Sequence, residues 1–279
     1  MDGHTTGSPQ GAGGQNPAYK PAHRHPQSLL RSPGQEPSRR RRGPRLPPVE
    51  INGYKIEAGA DLAGADLTGA DLRAVDLSGA WLGGAILNGS DLSEARLPGA
   101  SLRHAICQHA VLADADLRLA NLWHADLTEA RLPGAILSRC WLGSARLVGA
   151  DLRSVDLGGA WLTGADLTGA HLGGATLAGA TFSRSCLHEA DLTGCFAMGA
   201  DFRGAVLSGA ILRASNLSGA VLRGAALIGA DLSFTDLAGT DLTEAQLEAV
   251  CLDGIRHDDT TVWPEGFDPP SSGGLDDHE

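Results

Sequence analysis

Of the side chains here that can do chemistry, the carboxylates are the most regularly placed. Asp stands directly before a Leu or Phe at fifteen places between Asp61 and Asp241, and Asp61, Asp66, Asp71 and Asp76 follow at intervals of five. Carboxylates repeated at such intervals build a surface of negative potential, whereas acid–base catalysis needs a pair converging in a concave, water-excluding pocket. No P-loop, GxSxG, HExxH or zinc-ligand spacing occurs, so the sequence predicts no enzyme, no cofactor and no metal site. The five cysteines (107, 140, 186, 195 and 251) are odd in number and show no CxxC, which fits reduced thiols better than a disulfide framework. Trp81, Trp141 and Trp161 take the place before Leu where Asp or Asn is usual. Neighbouring tryptophans with their side chains outward are the mark of an interface.

What positions these residues is a five-residue rhythm. Gly59 to Ala80 reads GADLAGADLTGADLRAVDLSGA. On an α-helix, Leu residues five apart land about 140° from one another and form no stripe. On a flat strand they fall alternately on opposite faces. The pattern buries them only if the chain turns a corner once per pentad, with Leu and the Ala two places before it pointing inward. The frame holds from Leu62 to Leu252, and 35 of its 39 central positions are Leu. Leu62, Leu67, Leu72, Leu77 and Leu152 are therefore expected in the core, with Phe182 and Phe202 in the same role; Ala197 leaves space there for their rings. Gly fills 21 of the 38 corner positions from 64 to 249, and Pro-Gly occurs twice, at Pro98-Gly99 and Pro133-Gly134. Pro then Gly signals a type II turn. The six corners from His104 to Glu129 lack Gly, and a different turn type is expected there.

On these residues the run resembles the pentapeptide-repeat family, whose motif is A-(D/N)-L-x-x. The resemblance covers about two-thirds of the chain and implies an all-β fold, a right-handed quadrilateral β-helix with four pentads per coil and about ten coils. Residues 20 apart then stack on one face. Trp81, Trp141 and Trp161 share such a face, a candidate surface for a protein partner or a second copy in a homodimer. Asp71 stacks with Asp91, extending a candidate acidic ladder from Asp61, Asp66, Asp71 and Asp76. His104 stacks with His124, two ligands only, and Arg103 with Trp123.

The organisation expected is a disordered Pro/Gly/Arg-rich arm at 1–48, a hairpin cap at 49–59, the β-helix at 60–252, a C-terminal cap at 253–267 with Trp263 and Phe267 as the lid, and a disordered acidic tail at 268–279. Charge is uneven: residues 1–59 carry nine basic and four acidic side chains, while residues 60–252 carry twelve Arg against 21 acids, net −9. No apolar segment marks a signal peptide or a membrane span, so a cytoplasmic protein off the membrane is expected. Nucleic acid is expected to bind weakly at most, through Arg39–Arg42. The resemblance implies a scaffold or protein-interaction role. One bacterial branch, the quinolone-resistance and gyrase-protecting proteins, implies the alternative of modulating a type II topoisomerase as a DNA mimic.

Overall fold

The structure, a computed structural model, describes residues 49–272. The expected arm at 1–48, with Arg39–Arg42, lies outside the described residues, as do residues 273–279 of the expected tail.

One pentad shows why the chain coils. In Ala80-Trp81-Leu82-Gly83-Gly84, the N–H of Trp81 donates to the carbonyl of Ala60 in the coil before, at 2.9 Å. Those of Leu82 and Gly84 donate to Ser101 and Arg103 in the coil after, at 2.7 and 2.8 Å. The next N–H, of Ala85, closes the corner onto Leu82 at 3.0 Å. Each pentad thus donates one N–H to the coil before and two to the coil after, which holds each coil to both neighbours. Parallel bridges link residues 20 apart from Asp61↔Trp81 to Asp236↔Arg256. The result is a right-handed quadrilateral β-helix of about ten coils, rising roughly 4.8 Å per coil.

Leu and the Ala two before it fill the axis. Leu62, Leu67, Leu72, Leu77, Leu152, Phe182 and Phe202 are all buried, and the two Phe rings stack at 4.9 Å. Where a polar residue replaces the inner Ala, it finds a backbone acceptor: Ser215 and Thr235 donate to the carbonyls of Leu192 and Leu212, at 2.8 and 2.7 Å. A buried hydroxyl without such a partner would be costly.

The Gly-free corners require a correction. From His104 to Glu129 the corner φ values are 54–60°, against 62–69° at the glycine corners. The turn is the same throughout, with the positive φ at the third residue that defines type II. Inter-coil bonds impose it, since His104 N–H reaches Trp123 O at 3.0 Å much as Gly84 N–H reaches Arg103 O. Seventeen non-glycine corners take this conformation, and none is β-branched, the class for which positive φ is worst.

Both ends of the coil are covered. The first strand, β1 (Val49–Ile51), pairs antiparallel with β2 (Tyr54–Ile56) through Asn52 and Gly53, both at positive φ, as a two-residue hairpin turn requires. Ile51 and Tyr54 pack against the first coil. At the other end the spacing slips by one, from Asp236↔Arg256 to Asp241↔Val262. Beyond the slip, Trp263 and Phe267 lie half-buried on the core with rings stacked at 5.3 Å. The segment at 268–272 folds back so that His257 Nε2 donates to Pro270 O at 2.9 Å.

Candidate functional site

The outward residue before each Leu sits where its side chain can reach round the corner. All fifteen Asp there accept a hydrogen bond from the backbone N–H two residues on, as Asp66 does from Thr68 at 3.0 Å and Asp241 from Thr243 at 2.9 Å. Asn121 and Asn216 do the same, at 3.1 and 3.0 Å. This caps the one N–H per pentad that neither a neighbouring coil nor the corner bond takes, and a short acceptor side chain is what the position needs.

The acidic ladder therefore has a structural role at each of its rungs, and it does not form one stripe. Asp61, Asp66, Asp71 and Asp76 point one to each face, and Asp71↔Asp91 is the only Asp–Asp bridge among the described residues. Arg two places on often neutralises the carboxylate: Arg73, Arg118, Arg153 and Arg203 bind Asp71, Asp116, Asp151 and Asp201 at 2.6–2.7 Å. The Arg73 guanidinium holds the Asp71 carboxyl down to about 2. The other three are lowered first by the same Arg hydrogen bonds.

The thiols offer no nucleophile in the core. Burial pushes Cys107 and Cys140 up to about 12 and Cys195 to about 11. No three His, Cys, Asp or Glu converge as metal ligands among the described residues.

What remains is aromatic. Trp81, Trp141 and Trp161 lie on one face, with 65%, 53% and 46% of their surface exposed. The structure brings Trp141 and Trp161 together, with ring centroids 6.1 Å apart, and leaves Trp81 three coils away. Trp123, which the reading of the face by its outward column leaves out, joins them. It stands at the corner next to Asn121, is 45% exposed, and its indole lies over Gly143 in the pentad of Trp141. Arg103 sits over the Trp123 ring at 5.4 Å, His124 stacks on it at 5.4 Å, and His104 stacks on His124 at 5.1 Å. The signal for this addition was the pairing of Arg103 with Trp123 at a spacing of 20.

Comparison with known proteins agrees with the fold. The family model described as pentapeptide repeats matches in eight overlapping copies from residue 58 to residue 256. No curated protein sequence matches. Among solved structures, the chain is similar to HetL, a pentapeptide repeat protein involved in heterocyst differentiation regulation from the cyanobacterium Nostoc sp. strain PCC 7120, at 29% identity over 74% of this chain and 94% of that one, TM-score 0.48. It is similar to QnrB1, a plasmid-mediated fluoroquinolone resistance protein, at 21% identity over 73% and 92%, TM-score 0.39. A third similar structure, from the Arabidopsis thaliana thylakoid lumen, is 32% identical over 33% of this chain and 68% of that one, TM-score 0.30.

Proposed function

The chain belongs to the pentapeptide-repeat family, and from that premise we propose that it is a non-enzymatic interaction protein whose aromatic face docks a protein partner. One observation carries the reading. At Trp81, Trp141 and Trp161 the corner cap made by all fifteen Asp and both Asn is absent, and the N–H groups of Gly83, Gly143 and Thr163 have no such acceptor among the described residues. Each Trp thus forgoes a hydrogen bond with a net value of about 1 kcal/mol and exposes a large apolar ring to water. The cap is equally absent at Ile86, Val111 and Val206; what sets the three Trp apart is the large ring area they leave in water, which an interface covers, and Trp is among the side chains enriched as anchors of binding energy.

The test replaces Trp123, Trp141 and Trp161 by Ala together. Circular dichroism is expected to keep the β-helix signal, because none of the three contributes to the buried axis. Proteins cross-linked to the native chain in cells of its source are expected to be lost from the variant. Recovery of the same proteins at the same yield by both chains overturns the reading.

A further inference from the structure

Charge on the rod is segregated by face, and the aromatic face is the one without acid. Between Asp61 and Asp201, the column of Trp81, Trp141 and Trp161 and the corners on both sides of it contain no Asp or Glu residue, although Asp76, Asp116 and Asp156 of the neighbouring face reach the N–H groups of Ser78, Arg118 and Gly158 at one of those corners. The stretch covers six coils, about 30 Å at the usual strand spacing. Residues 78–184 contain nine Asp and Glu, and none of the nine stands in the column or its corners; Asp116 and Asp156 reach one corner from the neighbouring face. The same face and corners carry Arg103, Arg118, Arg139 and Arg184, with His104 and His124. Arg118 is bound to Asp116. Arg103, Arg139 and Arg184 have no ion-pair partner among the described residues.

A body of net −9 with one cationic, tryptophan-lined side is matched in charge to an acidic ligand approaching that side alone. We infer that the face receives an acidic polypeptide segment running along the rod, its carboxylates meeting Arg103, Arg139 and Arg184 and an aromatic or aliphatic side chain lodging among Trp123, Trp141 and Trp161. This rests on the docking role proposed above and adds the chemistry of the partner. A polypeptide suits the face better than a nucleic acid. Nucleic-acid affinity accumulates over many phosphate contacts. Here three free guanidiniums are spread over about four coils, and the nine carboxylates behind them repel a densely charged backbone. Complementary charge of this kind selects partners and speeds their encounter, while the apolar anchor supplies the residence time.

The probes are three fluorescently labelled ligands titrated against the full chain at low salt: a peptide alternating Glu and Tyr, its counterpart with Lys for Glu, and oligothymidylate of equal length. The Glu/Tyr peptide is expected to bind about tenfold or more tighter than either of the others. Arg103→Glu with Arg139→Glu is expected to abolish that preference in a chain whose thermal midpoint is unchanged. Three results overturn the inference: no binding of the Glu/Tyr peptide at millimolar concentration, equal or tighter binding of the Lys/Tyr peptide or the oligonucleotide, or a preference that survives both Arg changes. Trp141→Ala with Trp161→Ala separates this from the docking role itself. Peptides that bind regardless of charge but need both Trp leave the docking face standing and remove the acidic partner. Peptides indifferent to both Trp remove the docking face as well.

Discussion

The indole of Trp123 lies over Gly143 so closely that a Cβ added there would stand 2.8 Å from Nε1 and 3.1 Å from Cδ1. Gly143 is not a positive-φ corner, so Ala suits its backbone and the only obstacle is the ring. Gly143→Ala is therefore expected to leave the thermal midpoint within the range of an ordinary surface change, about 0.5 kcal/mol, while displacing Trp123 from Arg103 and His124. Tryptophan emission reads this directly. A shift in the spectrum of Gly143→Ala that disappears in the Trp123→Phe background is the expected result; an unshifted spectrum contradicts the contact.

The corners give a prediction with two signs. Leu119 is an exposed corner residue at φ 60°, and Gly169 occupies an equivalent corner at φ 63° with nothing near its would-be Cβ. Left-handed backbone costs an L-residue roughly 1–2 kcal/mol relative to glycine. Leu119→Gly is expected to raise the thermal midpoint and Gly169→Ala to lower it, each by an amount corresponding to about 1 kcal/mol. Denaturant unfolding followed by circular dichroism measures both, and shifts of the same sign would contradict the common turn.

That symmetry marks the limit of what was legible in the pentads. The inward Leu and Ala, the square coil and the stacking of residues 20 apart all follow from a spacing, and spacing survives in a sequence unchanged. Turn type at His104–Glu129 does not follow from local residue preference. The inter-coil bonds on both sides of each corner outweigh that preference. The one-residue slip between Arg256 and Val262 was also hidden, since no central Leu follows Leu252 to reveal the shift. In the candidate site, the column of Trp81, Trp141 and Trp161 was legible from numbering. Trp123 was not assigned to it because it stands past Asn121 at the corner, and only its lean over Gly143 brings it in.

The capping carboxylates predict a pH dependence. Asp151 accepts from the backbone N–H of Arg153 and is bound by its guanidinium, which lowers its pKa in the folded chain. Unfolded, an Asp titrates near 3.9. A folded pKa below the unfolded one adds stability above that value, and the increment disappears as pH falls through the folded pKa. Asp151→Asn keeps an oxygen for the cap, as Asn121 and Asn216 show, and removes only the charge. It is expected to be less stable than the native chain at pH 7, with the difference shrinking as pH falls below the unfolded value of about 3.9 and through the lowered folded pKa. Asp151→Ala loses the cap at every pH, by about 0.5–1.5 kcal/mol. Thermal midpoints of the three chains across this range check the scheme, which fails if Asn and Ala behave alike.

The core offers a test of coupling across the axis. Ala197 is the one small residue among the central positions, and it is completely buried. Phe182 opens the coil that Ala197 closes, and Phe202 opens the next, with the two rings stacked 9° from parallel. A square coil filled by three Leu and one Ala would leave a void, and the larger rings are what fills it. Ala197→Leu alone then overpacks the coil, at a cost of about 1–3 kcal/mol. Phe202→Leu alone opens a void and also destabilises. Combined, the two changes make the four consecutive central positions from 187 to 202 all Leu, as they are through most of the rod, so the double variant is expected to be more stable than the sum of the single losses predicts. A coupling above about 0.5 kcal/mol in that cycle is the expected reading; strictly additive losses would mean that Ala197 and Phe202 do not share the same space.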